Sequence, residues 1–291
     1  MNVEFAKYHG TGNDFIIVRE ADLLEAFSLG GGGQADFSSL AILLCRRNTG
    51  VGADGFIVVR ESPLSMLFFN GDGSTAPMCG NGIRCFAAFC YHEGIETSAS
   101  FSVLTGAGPM LVKVISREPF LVEICMGKAD YSLEALGISG GSDRLGEDFL
   151  GRRIVMEDGR TVPLSSLFVG TIHTVVWLGD GGDEVQTDDF ATLGAEISNN
   201  AIWTEKTNVN MAKIVDRGTI DLRTYERGAG MTAACGTGAS ATAFLAYTEG
   251  KVDSLVRVLV PGGELFIRIE EDGNIYMQGP AVRIAKGLAY L

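Results

Sequence analysis

The chain has 291 residues, 46% of them hydrophobic, enough to bury a large core in two domains or one large one. Its 20% charged and 9% aromatic composition excludes a disordered chain. Asp and Glu number 36 against 23 Lys and Arg, a net charge of −13 with no offsetting basic cluster, which argues against nucleic acid or an anionic membrane as partner. Met1 to Tyr8 contains Glu4 and Lys7 and lacks the apolar run of a signal peptide. The longest nearly uncharged stretches, such as Phe101 to Val112, fall short of the ~20 apolar residues of a membrane span. A soluble, cytoplasmic protein is expected.

In chain order, alternation predicts strands at Phe15–Val18, Gly55–Val59 and Met66–Phe69. The four glycines Gly30–Gly33 read as a surface loop, with no GK[ST] context to give them a phosphate role. A helix begins after Cys79 and stops at Gly94, and VLTGAGPMLVKV (103–114) reads as a hairpin. Leu136 to Glu147 is loop-like. Strands follow at Thr174–Trp177, Asn208–Ile214 and Thr219–Tyr225. An Ala-rich helix then runs from Cys235 to Gly250, and VLVPGGELFIRI (258–269) is a second hairpin.

The second half repeats the first. CGNGIRCFAAFCYHEG (79–94) and CGTGASATAFLAYTEG (235–250) agree at seven of sixteen positions, and the two hairpins follow at nearly the same shift. Two copies mean a duplicated domain, not a solenoid. Each copy reads strand, Gly-punctuated loop, helix, hairpin, which predicts an α+β fold with mixed or antiparallel sheets. In each, a cysteine stands immediately before a helix and is followed by Gly-x-Gly. The first N–H groups of a helix carry the positive end of its dipole, lower a thiol pKa and bind carboxylates. Two such ends facing one another would hold a carboxylate between two thiols, one removing a proton as thiolate while the other delivers one as thiol. The expected result is inversion at carbon without a cofactor.

The remaining thiols, Cys45, Cys85, Cys90 and Cys125, read as reduced core residues. No CxxC pair occurs and histidines are only His9, His92 and His173, so no metal site is expected. His173 itself reads as a core histidine. No phosphate cradle accompanies a Schiff-base lysine, so no pyridoxal site is implied. Around the two cysteines, Asn70 and Glu226 are symmetry mates, each nine residues before its Cys. Arg227 is suited to gripping a carboxylate, and Asn13 follows the glycines of HGTG. Taken singly, Asn13 and Asn70 are also common turn formers and Glu226–Arg227 a common surface pair.

These residues resemble the diaminopimelate epimerase family over nearly the whole chain. The likeness lies in KYHGTGNDF (7–15), GVGADG (50–55), NGDGSTAPMCGNGIRC (70–85), TNVNMAKI (207–214), YERGAGMTAACGTG (225–238) and VPGGEL with MQGPA (260–281). The resemblance implies two pseudo-symmetric domains, each a mixed or antiparallel sheet wrapped around a long central helix, here 1–126 with 282–291, and 127–281, and an active site in the cleft between them. It also implies cofactor-independent interconversion of LL- and meso-diaminopimelate, in lysine and peptidoglycan precursor synthesis, with Cys79 and Cys235 as the two bases. Gly80, Asn81, Gly236 and Thr237 would then hold the reacting carboxylate. Asn13, Asn70, Thr171, Asn208, Glu226 and Arg227 would contact the rest of the substrate. The resemblance leaves open which cysteine serves which isomer, and it allows a homodimer.

Three positions depart from the family pattern. Gly-Asn-Pro-His is here Gly170-Thr171-Ile172-His173, Met231 replaces a Glu, and Ser74-Thr75 replaces Ser-Glu. None is one of the cysteines, but Thr171 offers a single hydroxyl where an amide would stand. A two-cysteine racemase of another amino acid, such as histidine or glutamate, is therefore the alternative. A binding protein that has lost catalysis would have lost a cysteine, and a thiol–disulfide oxidoreductase would more usually carry CxxC.

Overall fold

The computed structural model describes residues 2–29, 36–138, 148–179, 181 and 184–290. The glycine run Gly30–Gly33 lies outside them, as does the stretch from Leu136 to Glu147 beyond Ile138. The chain divides into two compact units, Met1–Ile124 with Gly279–Leu291, and Cys125–Gln278.

In the first unit, β1 (Asn2–Gly10) turns into β2 (Asn13–Arg19), and α1 (Glu20–Leu29) and α2 (Phe37–Cys45) lead to β3 (Gly55–Glu61). Then come β4 (Leu64–Asn70), α3 (Gly80–His92), β5 (Ser100–Thr105), β6 (Gly108–Arg117) and β7 (Phe120–Gly127). In the second unit β8 (Arg152–Val155), β9 (Thr161–Phe168) and β10 (Ile172–Trp177) precede α4 (Phe190–Ser198). They are followed by β11 (Asn208–Asp216), β12 (Thr219–Glu226), the short β13 (Gly230–Thr232), α5 (Gly236–Thr248), β14 (Leu255–Val260), β15 (Gly263–Ile269) and β16 (Ile275–Pro280). The last strand, β17 (Val282–Tyr290), belongs to the first unit.

Pairing extends the repeat well beyond the cysteine blocks and hairpins where it is visible in sequence. The first unit runs β17-β1-β2-β3-β4-β5-β6-β7, with parallel pairs at β2–β3 and β4–β5 and antiparallel pairs elsewhere. The second runs β8-β9-β10-β11-β12-β14-β15-β16, with parallel pairs at the corresponding places, β10–β11 and β12–β14. Each parallel pair needs a crossover connection, and helices fill all four: α1 and α2, α3, α4, and α5. Two of these are the helices that follow Cys79 and Cys235.

Both cysteine helices are thirteen residues long and buried along most of their length. The α3 helix packs against β1, β2, β3, β4 and β17, and α5 against β10, β11, β12, β14 and β15. A helix buried along most of its length belongs inside a core, and here the strands of its own unit supply that core. Small residues allow close packing: Ala239, Ala241, Ala243 and Ala246 on α5, and Ala87 and Ala88 on α3, are buried. The fold is α+β, with a central helix in each unit. Further cores lie on the outer faces. In the first unit Leu23, Leu40 and Leu44 pack on Ile16, Phe56 and Val58, and in the second Leu193 and Ile197 pack near Trp203 and Met211. Among the described residues no helix is long and apolar enough to cross a membrane.

Candidate active site

In the first unit Cys79 is the N-cap of α3, with extended backbone (φ −136°, ψ 116°), and its sulfur accepts the Gly82 N–H at 3.4 Å. The helical ladder begins with Ile83 N–H on the Cys79 carbonyl. The amides ahead of it point out of the helix end, as an anion site requires. Gly82 explains the fourth position of the Cys-Gly-x-Gly motif, because a Cβ there would sit 3.2 Å from Cys79 Cβ and 3.5 Å from its sulfur. Asn13 follows the β1–β2 turn, where Thr11 (φ 51°) and Gly12 (φ 86°) take left-handed backbone. Its Oδ1 lies 4.0 Å from Cys79 Sγ and accepts from Asn81 Nδ2 at 3.3 Å. Asn70, at the end of β4, donates to Ser74 Oγ at 2.9 Å.

The second unit repeats the arrangement with different side chains. Cys235 is the N-cap of α5 (φ −121°, ψ 110°) and is buried, with its sulfur 3.4 Å from Thr237 Oγ1. A Cβ on Gly238 would collide with Asn210 Oδ1 and lie 3.3 Å from the sulfur. Glu226 ends β12, as Asn70 ends β4, and accepts from Thr232 Oγ1 at 2.7 Å. The Arg227 backbone N–H donates to Asn208 Oδ1 at 2.9 Å. Its guanidinium donates to the Glu205 carbonyl at 2.7 Å and to Thr171 Oγ1 at 3.0 Å. Thr171, Asn208, Glu226, Arg227 and Cys235 with Gly236 and Thr237 are thus all placed on the second unit, with direct bonds linking Thr171, Arg227 and Asn208.

Three of the other four thiols are core residues that cap no helix. Cys45, Cys85 and Cys90 are buried, and burial pushes their thiols up, Cys45 to about 12. They stay protonated and unreactive. Cys125 is half-buried rather than buried. His173 is fully buried, and burial together with the charge of Arg227 pushes it down to about 3, so it is neutral at any physiological pH. Its Nδ1 faces Asn210 Nδ2 at 3.1 Å, while Nε2 is buried without a hydrogen-bond partner among the described residues.

Several residues that support the site lie inside the family motifs, where their spacing pointed to no role of their own. Asp54 accepts from Asn13 Nδ2 at 2.7 Å, Thr232 holds Glu226, and Asn210 lies against Gly238. Arg84, from GNGIRC, is completely buried and donates to Thr11 Oγ1, Asn81 Oδ1 and two carbonyls.

The family model for diaminopimelate epimerase matches residues 5–132 and 167–284. A diaminopimelate epimerase of Alkaliphilus metalliredigens is 38% identical over 99% of this chain and 98% of its own length. One from Clostridium perfringens is 36% identical over 98% of each. Solved structures share the fold at much lower identity. A Bacillus anthracis phenazine biosynthesis protein of the PhzF family superposes with a TM-score of 0.67 at 14% identity, covering 100% of both chains. A probable proline racemase from Agrobacterium radiobacter gives 0.66 at 14%, over 99% of this chain and 92% of its own. With both cysteine blocks inside the matched segments, this chain belongs to the diaminopimelate epimerase family.

Proposed function

We propose that this isomerase interconverts LL- and meso-diaminopimelate, with Cys79 and Cys235 as the two bases acting on opposite faces of one α-carbon. The observation that carries the reading is the duplicated N-cap: in each unit a cysteine caps a buried thirteen-residue helix, with a glycine three residues on that keeps the sulfur uncrowded. One sulfur, as thiolate, takes the α-proton, and the electron pair left on carbon delocalises into the carboxylate. Amides of Gly80, Asn81, Gly236 and Thr237 stabilise that growing charge. The other sulfur, as thiol, returns a proton to the opposite face. The substrate leaves inverted, and the two sulfurs have exchanged protonation states. Asn13, Asn70, Thr171, Asn208, Glu226 and Arg227 bind the amino groups and the distal carboxylate. In the cytoplasm, the location this reading assigns, the thiols stay reduced, and the product serves lysine and peptidoglycan precursor synthesis.

The test is α-proton exchange in D₂O by mass spectrometry, under reducing conditions, with LL-diaminopimelate against L-histidine, L-glutamate and L-lysine. Uptake with diaminopimelate alone is expected. Uptake with another amino acid would keep the chemistry and overturn the substrate. Cys79→Ala and Cys235→Ala should each abolish inversion, and near-wild-type turnover in either would sink the two-base scheme.

A further inference from the structure

Four side chains of the first unit form one unidirectional run of hydrogen bonds. Arg84 Nη2 donates to Asn81 Oδ1 at 3.0 Å, Asn81 Nδ2 to Asn13 Oδ1 at 3.3 Å, and Asn13 Nδ2 to Asp54 Oδ2 at 2.7 Å. Two neutral amides are strung between a cation and an anion. The ends have opposite and fixed capabilities: a guanidinium only donates, and a carboxylate only accepts. Flipping both amides would aim an NH₂ at the guanidinium and a carbonyl oxygen at the carboxylate, two repulsive contacts. Without the charged ends, the two orientations would have the same shape and similar bonding.

Both ends are themselves held. Arg84 is completely buried, and also donates to Thr11 Oγ1 at 3.2 Å, to the Gly80 carbonyl at 3.1 Å and to the Pro280 carbonyl at 3.2 Å. It lies directly beneath the β1–β2 turn, where a Cβ on Gly10 would come within 2.9 Å of Nη2. Asp54 Oδ1 accepts from Arg47 Nη2 at 2.5 Å, and Asp54 exchanges backbone-to-carboxylate bonds with Asp14, each 3.0 Å. The other lone pair of Asn13 Oδ1 is therefore directed at Cys79 Sγ, which donates to it at 4.0 Å. A carbonyl oxygen there accepts from an ammonium or a thiol, whereas an NH₂ would repel the ammonium.

We infer that Asp54 and Arg84 are positioning residues that set the polarity of the Asn13–Asn81 amide pair, and so decide that an acceptor faces the substrate's amino group beside Cys79. The inference rests on the reading that Asn13 and Asn81 contact substrate. Losing the set polarity weakens ground state and transition state alike, a loss that falls on KM rather than kcat.

The test is steady-state kinetics on LL-diaminopimelate with melting temperatures for Asp54→Asn, Arg84→Gln and Arg84→Lys in the full-length protein. Asp54→Asn should raise KM by about tenfold or more, the size of one hydrogen bond to a charged group, with kcat within about threefold. Arg84→Gln should do the same where it folds. Arg84→Lys, which keeps a donor-only end, should recover most of the affinity. Asp189→Ala, which removes the α4 cap in the other unit, shows how far KM moves when stability alone is lost. A folded Asp54→Asn protein with wild-type KM would overturn the inference, as would KM changes no larger than those of Asp189→Ala. Wild-type turnover in Cys79→Ala would instead overturn the two-base reading, with the KM comparison still deciding the roles of Asp54 and Arg84.

Discussion

At the residue scale, Thr171 stands where the family pattern has an asparagine, and its hydroxyl accepts from Arg227 Nη2 at 3.0 Å. It therefore holds a guanidinium that also donates to the Glu205 carbonyl, while Asn208 Oδ1 accepts from the backbone N–H of the same residue. Thr171→Val keeps the shape and removes the acceptor. We expect its KM for diaminopimelate to rise about tenfold, with Thr171→Ser near wild type, since hydrogen bonds to charged groups contribute about 1.5–3 kcal/mol. Equal KM values for the valine and serine variants would count against that role. Gly238 tests packing. An alanine there must displace Asn210, which also accepts from Thr224 at 3.1 Å and faces His173. Overpacking of this kind costs about 1–3 kcal/mol, so Gly238→Ala should lower both the melting temperature and turnover. The two cysteines were legible in the sequence because their motif occurs twice. Asp54 was not, because it reaches Asn13 across 41 residues through a fold that no local spacing encodes.

At the element scale, the strands with apolar alternation and both cysteine helices could be read from the sequence. The shorter helices could not. The α2 helix starts at an Asp36 cap separated from the glycine run by two residues and was hidden by that run, and among its described side chains α1 fully buries only Leu23. The β17 strand alternates little that is buried, since Val282, Ile284, Leu288 and Tyr290 are all exposed. Caps offer a direct test of helix stability. Asp189 accepts the Thr192 N–H at 3.0 Å, so Asp189→Ala should cost about 1 kcal/mol, a drop of about 2–4 °C in melting temperature. An unchanged transition would mean that α4 is held by packing alone. At the head of β2, Asp14 is drawn upward by burial but more strongly downward by hydrogen bonds from Lys7 and Arg47, and its carboxyl lies below the usual value. A depressed folded value gives stability that is fully present above the unfolded pKa and is lost as pH falls through the folded one. Unfolding free energies of wild type and Asp14→Asn should therefore differ at pH 6 and converge below about pH 4. A gap that did not narrow as pH falls below about 4 would rule out the ionic contribution.

For the whole molecule, the two units share one order of pairings, with parallel pairs at the same two places. The sequence showed the duplication only around the cysteines, where chemistry restrains the residues. Elsewhere sheet pairing is satisfied by many apolar combinations, so the shared topology left no common letters. One difference between the units lies at the edge strand. β8 enters its sheet from just upstream of β9, whereas its counterpart β17 reaches β1 from the far end of the chain, pairing Val3 with Ala289 and Glu4 with Leu288. This return has a consequence for biosynthesis. A ribosome makes the N-terminal unit's residues first, yet that unit's sheet lacks its edge strand until β17, which follows the whole of Cys125–Gln278, has emerged. The half made first is thus completed only after the other has been made. A released chain truncated just before β17 should resist protease over 125–278 while its N-terminal segment is cut.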